Sequence, residues 1–386
     1  MMLEQYIASG LCGLGNGLAA AALAYALLRL AARHPRRRWL SASAQPPVTV
    51  LKPLCGVERY QYENLRSFFV QDYPVFQLVF GVRSAEDPAL KTVARLRSEF
   101  PQVDVTVVVE PRLHGANPKV SNLINMMPAA QHELLVLADA DIHAPMGYLA
   151  QLASELAPAD VGVVTCLYRG EPSEARPNLW SRLGTLFIDD WFAPSVRVAH
   201  RLGSRGFSFG ATIALRRATL DRIGGFQVLA DQLADDWWLG ELARRQGLRT
   251  VLSACVVGTL VDEPTADALL SHERRWMRTI RVVQPLGYAT MFPSFTLPTA
   301  VLGAWIGGPF AHWALLLSLL LRITAFVQDR RHGAGFQWRE LALLPLRDGL
   351  MLWVWLRGFA NGNLRWRDRE LAVDDKGLVR GAAGGS

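Results

Sequence analysis

Residues 6–28 form a run of 23 without one charged side chain. As a helix this run is about 35 Å long, against a hydrocarbon core of about 30 Å, and it predicts a transmembrane helix within residues 1–34. The basic residues that follow, Arg29, Arg33, Arg36, Arg37 and Arg38, put the next segment on the cytoplasmic side by the positive-inside rule. A cleaved signal peptide would carry its charges ahead of a shorter apolar core, which disfavours that alternative. A second block, residues 282–321, is 40 residues long and lacks Asp, Glu, Lys and Arg. It predicts a two-span hairpin over 282–328, broken at Gly307-Gly308-Pro309 and returning at Arg322, Arg330 and Arg331. A third stretch, residues 341–360 within a segment 336–370, contains Arg347, Asp348 and Arg357. Each of those charges costs about 2.5–3.5 kcal/mol at mid-membrane, so an interfacial or re-entrant segment is expected, followed by a tail over 371–386.

Composition narrows the partners. The net charge of +7 would suit a nucleic acid, an anionic membrane face or an acidic small substrate. Its basic residues gather at the flanks of the apolar segments, with no aromatic-basic recognition pattern, which argues against nucleic acid. Four cysteines, Cys12, Cys55, Cys166 and Cys255, lie far apart with neither zinc-ligand nor disulfide-framework spacing, as suits a reducing compartment.

Residues 45–271 read as a soluble α/β domain behind a polar linker, 41–47. Short apolar runs at 48–54, 76–83, 103–110 and 134–138 predict strands of a parallel sheet buried on both faces. Helical patterns at 62–70, 88–100 and 119–130 fall between them. The order β-α-β-α-β-α-β predicts a wound, Rossmann-like sheet with its ligand site at the strand carboxyl ends.

Three groups of residues carry chemistry. Asp139-Ala140-Asp141 follows the fourth strand, and in extended geometry its two carboxylates share one side. With no basic neighbour in sequence, they call for a hard divalent cation, or they cap a solvated turn. Asp235-Asp236 precedes an apolar helical run, as an acidic N-cap or as a site for a general base. His272-Glu273-Arg274-Arg275-Trp276, with Arg278 and Arg281 beyond, reads as a basic helix at a membrane surface, or as a guanidinium and indole that clamp a diphosphate (272–281). Phe207, Phe209, Trp237 and Trp238 either line a lipid-facing pocket or pack the core.

In this order, the acid pair after strand four, the later Asp pair and the Arg-Trp box before apolar segments resemble the family-2-like GT-A glycosyltransferases. Val50-Leu51-Lys52-Pro53-Leu54, Asp72-Tyr73-Pro74, Asn117-Pro118-Lys119 with Asn122-Leu123, and Leu364-Arg365-Trp366-Arg367 look like the ceramide glucosyltransferase branch. The phrases over 189–192, 231–236 and 272–281 look most like its bacterial hopanoid-biosynthesis members. The similarity covers nearly the whole chain.

That resemblance implies a GT-A catalytic domain, facing the cytoplasm from a bacterial inner membrane, and an inverting transfer from a UDP-sugar to a lipid hydroxyl. Asp139 and Asp141 would hold Mg²⁺ or Mn²⁺ and, with Lys52 and Lys119, the donor. Asp236 would be the general base beside Asp235, Arg275 would stabilise the leaving diphosphate, and Trp276 would line the acceptor side. Ser84 stands where an acid is usual, leaving Glu86 and Asp87 as substitutes. His272 opens the box in place of Gln or Arg, which points to activity dependent on pH near neutrality. The leading acceptor is a hopanoid polyol receiving N-acetylglucosamine, with ceramide and glucose as the alternative. A processive polysaccharide synthase would need more membrane segments. A non-catalytic scaffold or transporter component is the alternative of a different class.

Overall fold

The computed structural model describes residues 2–32, 45–172, 177–331 and 338–360, together with the backbone of three short strands, Leu364–Trp366, Arg369–Val373 and Val379–Gly381. Arg33, Arg36, Arg37 and Arg38, most of the 41–47 linker, the side chain of Arg331, and the side chains of Leu364, Arg365, Trp366 and Arg367 lie outside the described residues, as do the side chains of 371–386. The chain divides into two compact units. One comprises residues 35–175, 203–262 and 363–386; the other comprises 1–34, 176–202 and 263–362. The expected continuous domain over 45–271 is therefore interrupted, because 176–202 folds with the apolar helices.

The first unit is built on eight strands: β1 Val48–Pro53, β2 Phe76–Val82, β3 Asp104–Val109, β4 Leu134–Leu137, β5 Ile142–His143, β6 Val161–Pro172, β7 Ile213–Arg216 and β8 Arg249–Val261. Their order is β3-β2-β1-β4-β7-β6-β8-β5. β1 pairs in parallel with β2 and β4, β2 with β3, and β6 with β8, whereas β7 runs antiparallel to β4 and β6. The continuous apolar runs follow from burial on both faces. Val48, Val50, Leu78, Phe80 and Val136 enter one core with helices Gln61–Phe69, Ala89–Glu99 and Tyr148–Leu156. Leu51, Val79, Leu135 and Leu137 enter another with helices Pro118–Met126 and Asp235–Arg245. Successive residues of a strand thus both face apolar neighbours.

The second unit is helical. Its N-terminal helix, Met2–Ala31, packs on Thr296–Ile306 and Pro309–Arg331 through small residues. A Cβ on Gly303 would lie 2.7 Å from the Gly15 carbonyl and 2.7 Å from the Ala19 amide, so only glycine permits this approach. Gln5–Ala31 and Pro309–Arg330 are long and apolar enough to cross a membrane. Thr296–Ile306, with 11 residues, is about 16 Å long, so the first arm of the expected hairpin is too short to span.

Two of the charges read as marking the cytoplasmic flanks, Arg29 and Arg322, are buried in ion pairs. Arg29 pairs with Asp190 at 2.6 Å, Arg322 pairs with Asp190 and with Asp348 at 2.8 Å, and all four are at most 6% exposed. Asp190 sits in a single π-turn, Phe187–Phe192. Arg347, fully buried, makes two hydrogen bonds to Glu273 at 2.6 and 2.7 Å. Because Arg347 and Asp348 are paired, no lone-charge penalty keeps the third stretch out of the interior. Its helix, Leu344–Arg357, is only 14 residues, about 21 Å, long.

Candidate active site

Asp139 and Asp141 lie in the turn between β4 and β5, not on an extended strand. Two interactions hold the turn. Lys52, fully buried on β1, donates its ammonium to the Asp139 carbonyl at 2.7 Å and sits 3.9 Å above the Phe68 ring. The Thr259 hydroxyl on β8 donates to Asp141 Oδ2 at 2.8 Å. Lys52 is thus neither solvated nor pointed outward; burial pulls its ammonium down to about 7, with Asp141 and Asp139 opposing. Burial first, then the Asp139 charge, pushes the Asp141 carboxyl above its ordinary range.

The two acids were expected to have no basic neighbour, and here the fold differs. Lys119 Nζ lies 2.6 Å from Asp139 Oδ1 and 3.4 Å from Asp235 Oδ2. Its placement is local chemistry. Asn117 caps helix Pro118–Met126, accepting from the Lys119 and Val120 amides at 3.0 and 3.2 Å, with Pro118 at the first helical position. Asn117 also donates to the Gln232 carbonyl at 2.9 Å, and the Ala116 amide donates to Asp231 at 2.8 Å, so the helix start is tied to the loop that carries the second acid pair. Lys119, which the resemblance sets beside the donor, is thus also the ion-pair partner of the first acid.

Asp235 and Asp236 open helix Asp235–Arg245, and both readings of the pair meet there. Asp236 accepts from the Trp237 amide at 2.7 Å and the Gly210 amide at 2.9 Å. Burial, then the Asp235 charge, pushes its carboxyl up to about 6, while Lys119 and the two amides pull the other way. Gly210 also abuts the first acid pair: a Cβ there would lie 2.7 Å from Asp139 Oδ2. One glycine therefore spaces the two acid pairs, and its only mark in sequence is the Phe207-Ser208-Phe209-Gly210 run. Tyr168 on β6 went unread; burial, then the charges of Asp236, Asp141 and Asp139, raise its phenol well above the ordinary range. Its ring meets Phe209 edge-on at 6.5 Å. Phe207 stacks on Phe209 at 5.8 Å, the Trp237 indole donates to the Gly206 carbonyl at 3.1 Å, and Trp238 packs against the core.

Past the carboxyl end of β2, Asp87 accepts from the Gly56 amide at 3.0 Å and the Ala89 amide at 2.9 Å, so its oxygens serve the backbone. Glu86 is exposed and hydrogen-bonded to the Ser84 hydroxyl. The box residues belong to the helical unit, on helix Ala266–Val283. His272 Nδ1 is 2.9 Å from Glu263 Oε1, and since a carboxylate only accepts, Nδ1 carries the proton of that bond. The Trp276 ring lies 5.1 Å from Phe187 and 4.6 Å from His272, and Arg275 occupies the same helix one residue before it.

Among the described residues no cluster of three or more metal-ligating side chains exists. Asp139 and Asp141 offer carboxylate oxygens only, the donor set of a hard cation that fills its remaining positions with water and substrate phosphate. The residues present fit Mg²⁺ or Mn²⁺ held in that way.

A mostly parallel sheet with acids after its fourth strand is the GT-A glycosyltransferase fold. A mannosyltransferase from Pyrobaculum calidifontis, solved with GDP-Man and Mn²⁺, superposes with a TM-score of 0.54 over 90% of this chain and 99% of its own, at 20% identity. Residues 16–379 match Glycosyl transferase family 21, and the chain belongs to that family. Ceramide glucosyltransferase 1 of Caenorhabditis elegans is 26% identical over 62% of this chain and 53% of its own length. Ceramide glucosyltransferase 3 of the same organism is 23% identical over 84% of this chain and 72% of its own. The chain thus spans about half the length of the first relative.

Proposed function

We propose that this glycosyltransferase moves glucose from UDP-glucose to the terminal hydroxyl of ceramide, seated in a membrane with its α/β unit on the cytoplasmic face. The names of the relatives favour ceramide over the hopanoid polyol and N-acetylglucosamine that the sequence phrases put first. The observation that carries the reading is the pair of acid sites joined by Lys119, one of them holding a carboxylate raised to about 6. A base in that range is ionised near neutrality and still basic enough to take a proton.

In this mechanism Asp236 removes the proton of the acceptor hydroxyl. The oxygen forms its bond to the anomeric carbon as the bond to the diphosphate oxygen breaks, and a single in-line displacement inverts that carbon. The Gly210 and Trp237 amides orient the carboxylate. Asp139 and Asp141 would hold a divalent cation that neutralises the departing diphosphate. Lys119 adds a fixed positive charge between donor and base, and Lys52 and Thr259 keep the acid turn in place. Arg275 and Trp276 are assigned the diphosphate and the acceptor respectively, and His272 orients the Trp276 ring that it contacts. Glu86, exposed beyond β2, is assigned to the base of the nucleotide, since Asp87 is engaged with the backbone.

Purified protein with Mg²⁺ or Mn²⁺, offered UDP-glucose and UDP-N-acetylglucosamine against ceramide and hopanoid polyol in separate reactions, tests the reading by product mass. Glucosylceramide is the expected product, lost on chelation of the metal and restored by its return. Product from the hopanoid arm alone would reverse the choice of acceptor, and absence of product in every arm would remove the activity. The acid limb of the pH profile follows from Asp236. Its carboxylate is the active form, so kcat/KM should fall about tenfold per pH unit below about 6 and level off above it.

A further inference from the structure

The helical unit carries a buried charged layer, with a bare apolar surface rising from it. Arg29, Asp190, Arg322 and Asp348 form the layer. Going back along the N-terminal helix from Arg29, Asn16 lies about 13 residues, or 20 Å, away. Going back along helix Pro309–Arg331 from Arg322, Gly308 lies about 14 residues, or 21 Å, away. The two measures converge, because Asn16 Oδ1 accepts from the Gly308 amide at 3.1 Å. The turn at Gly307-Gly308-Pro309 therefore stands about 20 Å from the charged layer, roughly two-thirds of a hydrocarbon core. Beyond that level the N-terminal helix continues for about 21 Å to Met2, the uncharged stretch back to Tyr6 making up about 15 Å of it. Along this extension Leu14, Leu11, Ile7 and Tyr6 are 47–75% exposed.

The turn's glycine amides and the Gly308 carbonyl are also partnered. The Gly307 amide donates to the Gly303 carbonyl at 2.8 Å, the Gly308 amide to Asn16, and Pro309 has no N–H. The Gly308 carbonyl accepts from the Ala311 amide at 2.9 Å and contacts His312 Nδ1 at 3.1 Å. Partnered backbone of this kind is what a turn within hydrocarbon requires. We infer that the hairpin Thr296–Ile306/Pro309–Arg331 is re-entrant: it enters from the side of the charged layer and turns back inside the bilayer, so that the N-terminal helix alone crosses. Lipid acyl chains cover its outer face, where Val301, Leu302, Trp305, Phe310, Trp313 and Leu316 are 45–82% exposed. The inference rests on the membrane seating proposed above.

The test uses the full chain in host membranes prepared right-side-out and inverted, with a membrane-impermeant maleimide and a Cys12→Ser background. Met2→Cys reports the far end of the N-terminal helix, native Cys55 reports the α/β unit, and Phe310→Cys and Trp313→Cys, in separate chains, report the turn. Expected is reaction of Met2→Cys in one preparation and Cys55 in the other, with both turn cysteines reacting only after detergent. Reaction of the turn cysteines together with Met2→Cys would show a spanning hairpin, and together with Cys55 a hairpin outside the bilayer; either overturns the inference alone. Met2→Cys and Cys55 reacting from the same side, or loss of the chain from the membrane in alkaline carbonate, would overturn the membrane seating itself.

Discussion

Asp236→Asn should lower transfer by about 10²–10⁴-fold, the range of a positioned general base, while the protein folds and enters the membrane as before. The physical reason to expect an intact fold is a near cancellation. The carboxyl is raised from 3.8 to about 6, so the folded state holds that proton more tightly than the unfolded chain does. Its ionisation therefore costs stability, a cost that grows as pH rises through that window and is fully present above it. Asparagine removes the cost. It keeps one oxygen for one of the two amides of Gly210 and Trp237 and leaves the other unpaired, a cost of about 1–3 kcal/mol. Melting temperature and donor binding, measured by nucleotide protection, should hold near those of the parent while product formation collapses. Transfer within tenfold of the parent would remove Asp236 from the mechanism and reopen the reading of the fold as a scaffold without turnover.

The largest stability effect should come from Asp190→Asn, far from either acid pair in sequence. Asp190 is the shared anion of two buried guanidiniums, Arg29 and Arg322. Removing its charge leaves both cations to the single carboxylate of Asp348 and to Asp329, which lies 3.3 Å from Arg29. Breaking a buried pair by deleting one partner costs about 3–5 kcal/mol, because an uncompensated charge stays inside. The variant should lose yield in detergent and melt well below the parent. Asp262→Asn, which breaks an ion pair with Arg59 whose side chains are 48% and 37% exposed, is the control and should change little. Equal melting for both variants would mean that water reaches the Asp190 site.

What could be read in advance followed the range of the interaction. The first four strands were legible because each is a short apolar run covered on two faces, and their bounds fall within a residue or two of the observed ones. β5 to β8 were not read: β7 is four residues long and antiparallel, and nothing local in Ile213–Arg216 marks it as the strand that reverses the sheet. The acids themselves stood out by type and spacing. Of their neighbours, Lys119 was marked by the family resemblance alone, and Gly210, Thr259 and Tyr168 were not marked, since each reaches the site from a separate element. The same limit explains the charges at the apolar segments. Arg29 and Arg322 looked like topology signals, and only the π-turn that brings Asp190 inward reveals them as buried partners.

The glycine seam between the N-terminal helix and Thr296–Ile306 bears on how this protein could be handled. Backbones that meet at Gly15 and Gly303 leave no side chains to fill the gap if one helix is taken away. A chain shortened to begin at residue 45 would bare carbonyls and amides along that groove, with Asp190 and Arg322 stripped of Arg29. The first helix is thus a load shared by the whole helical unit, not a removable tether, and solubility is better sought by recolouring its outward leucines than by deleting it.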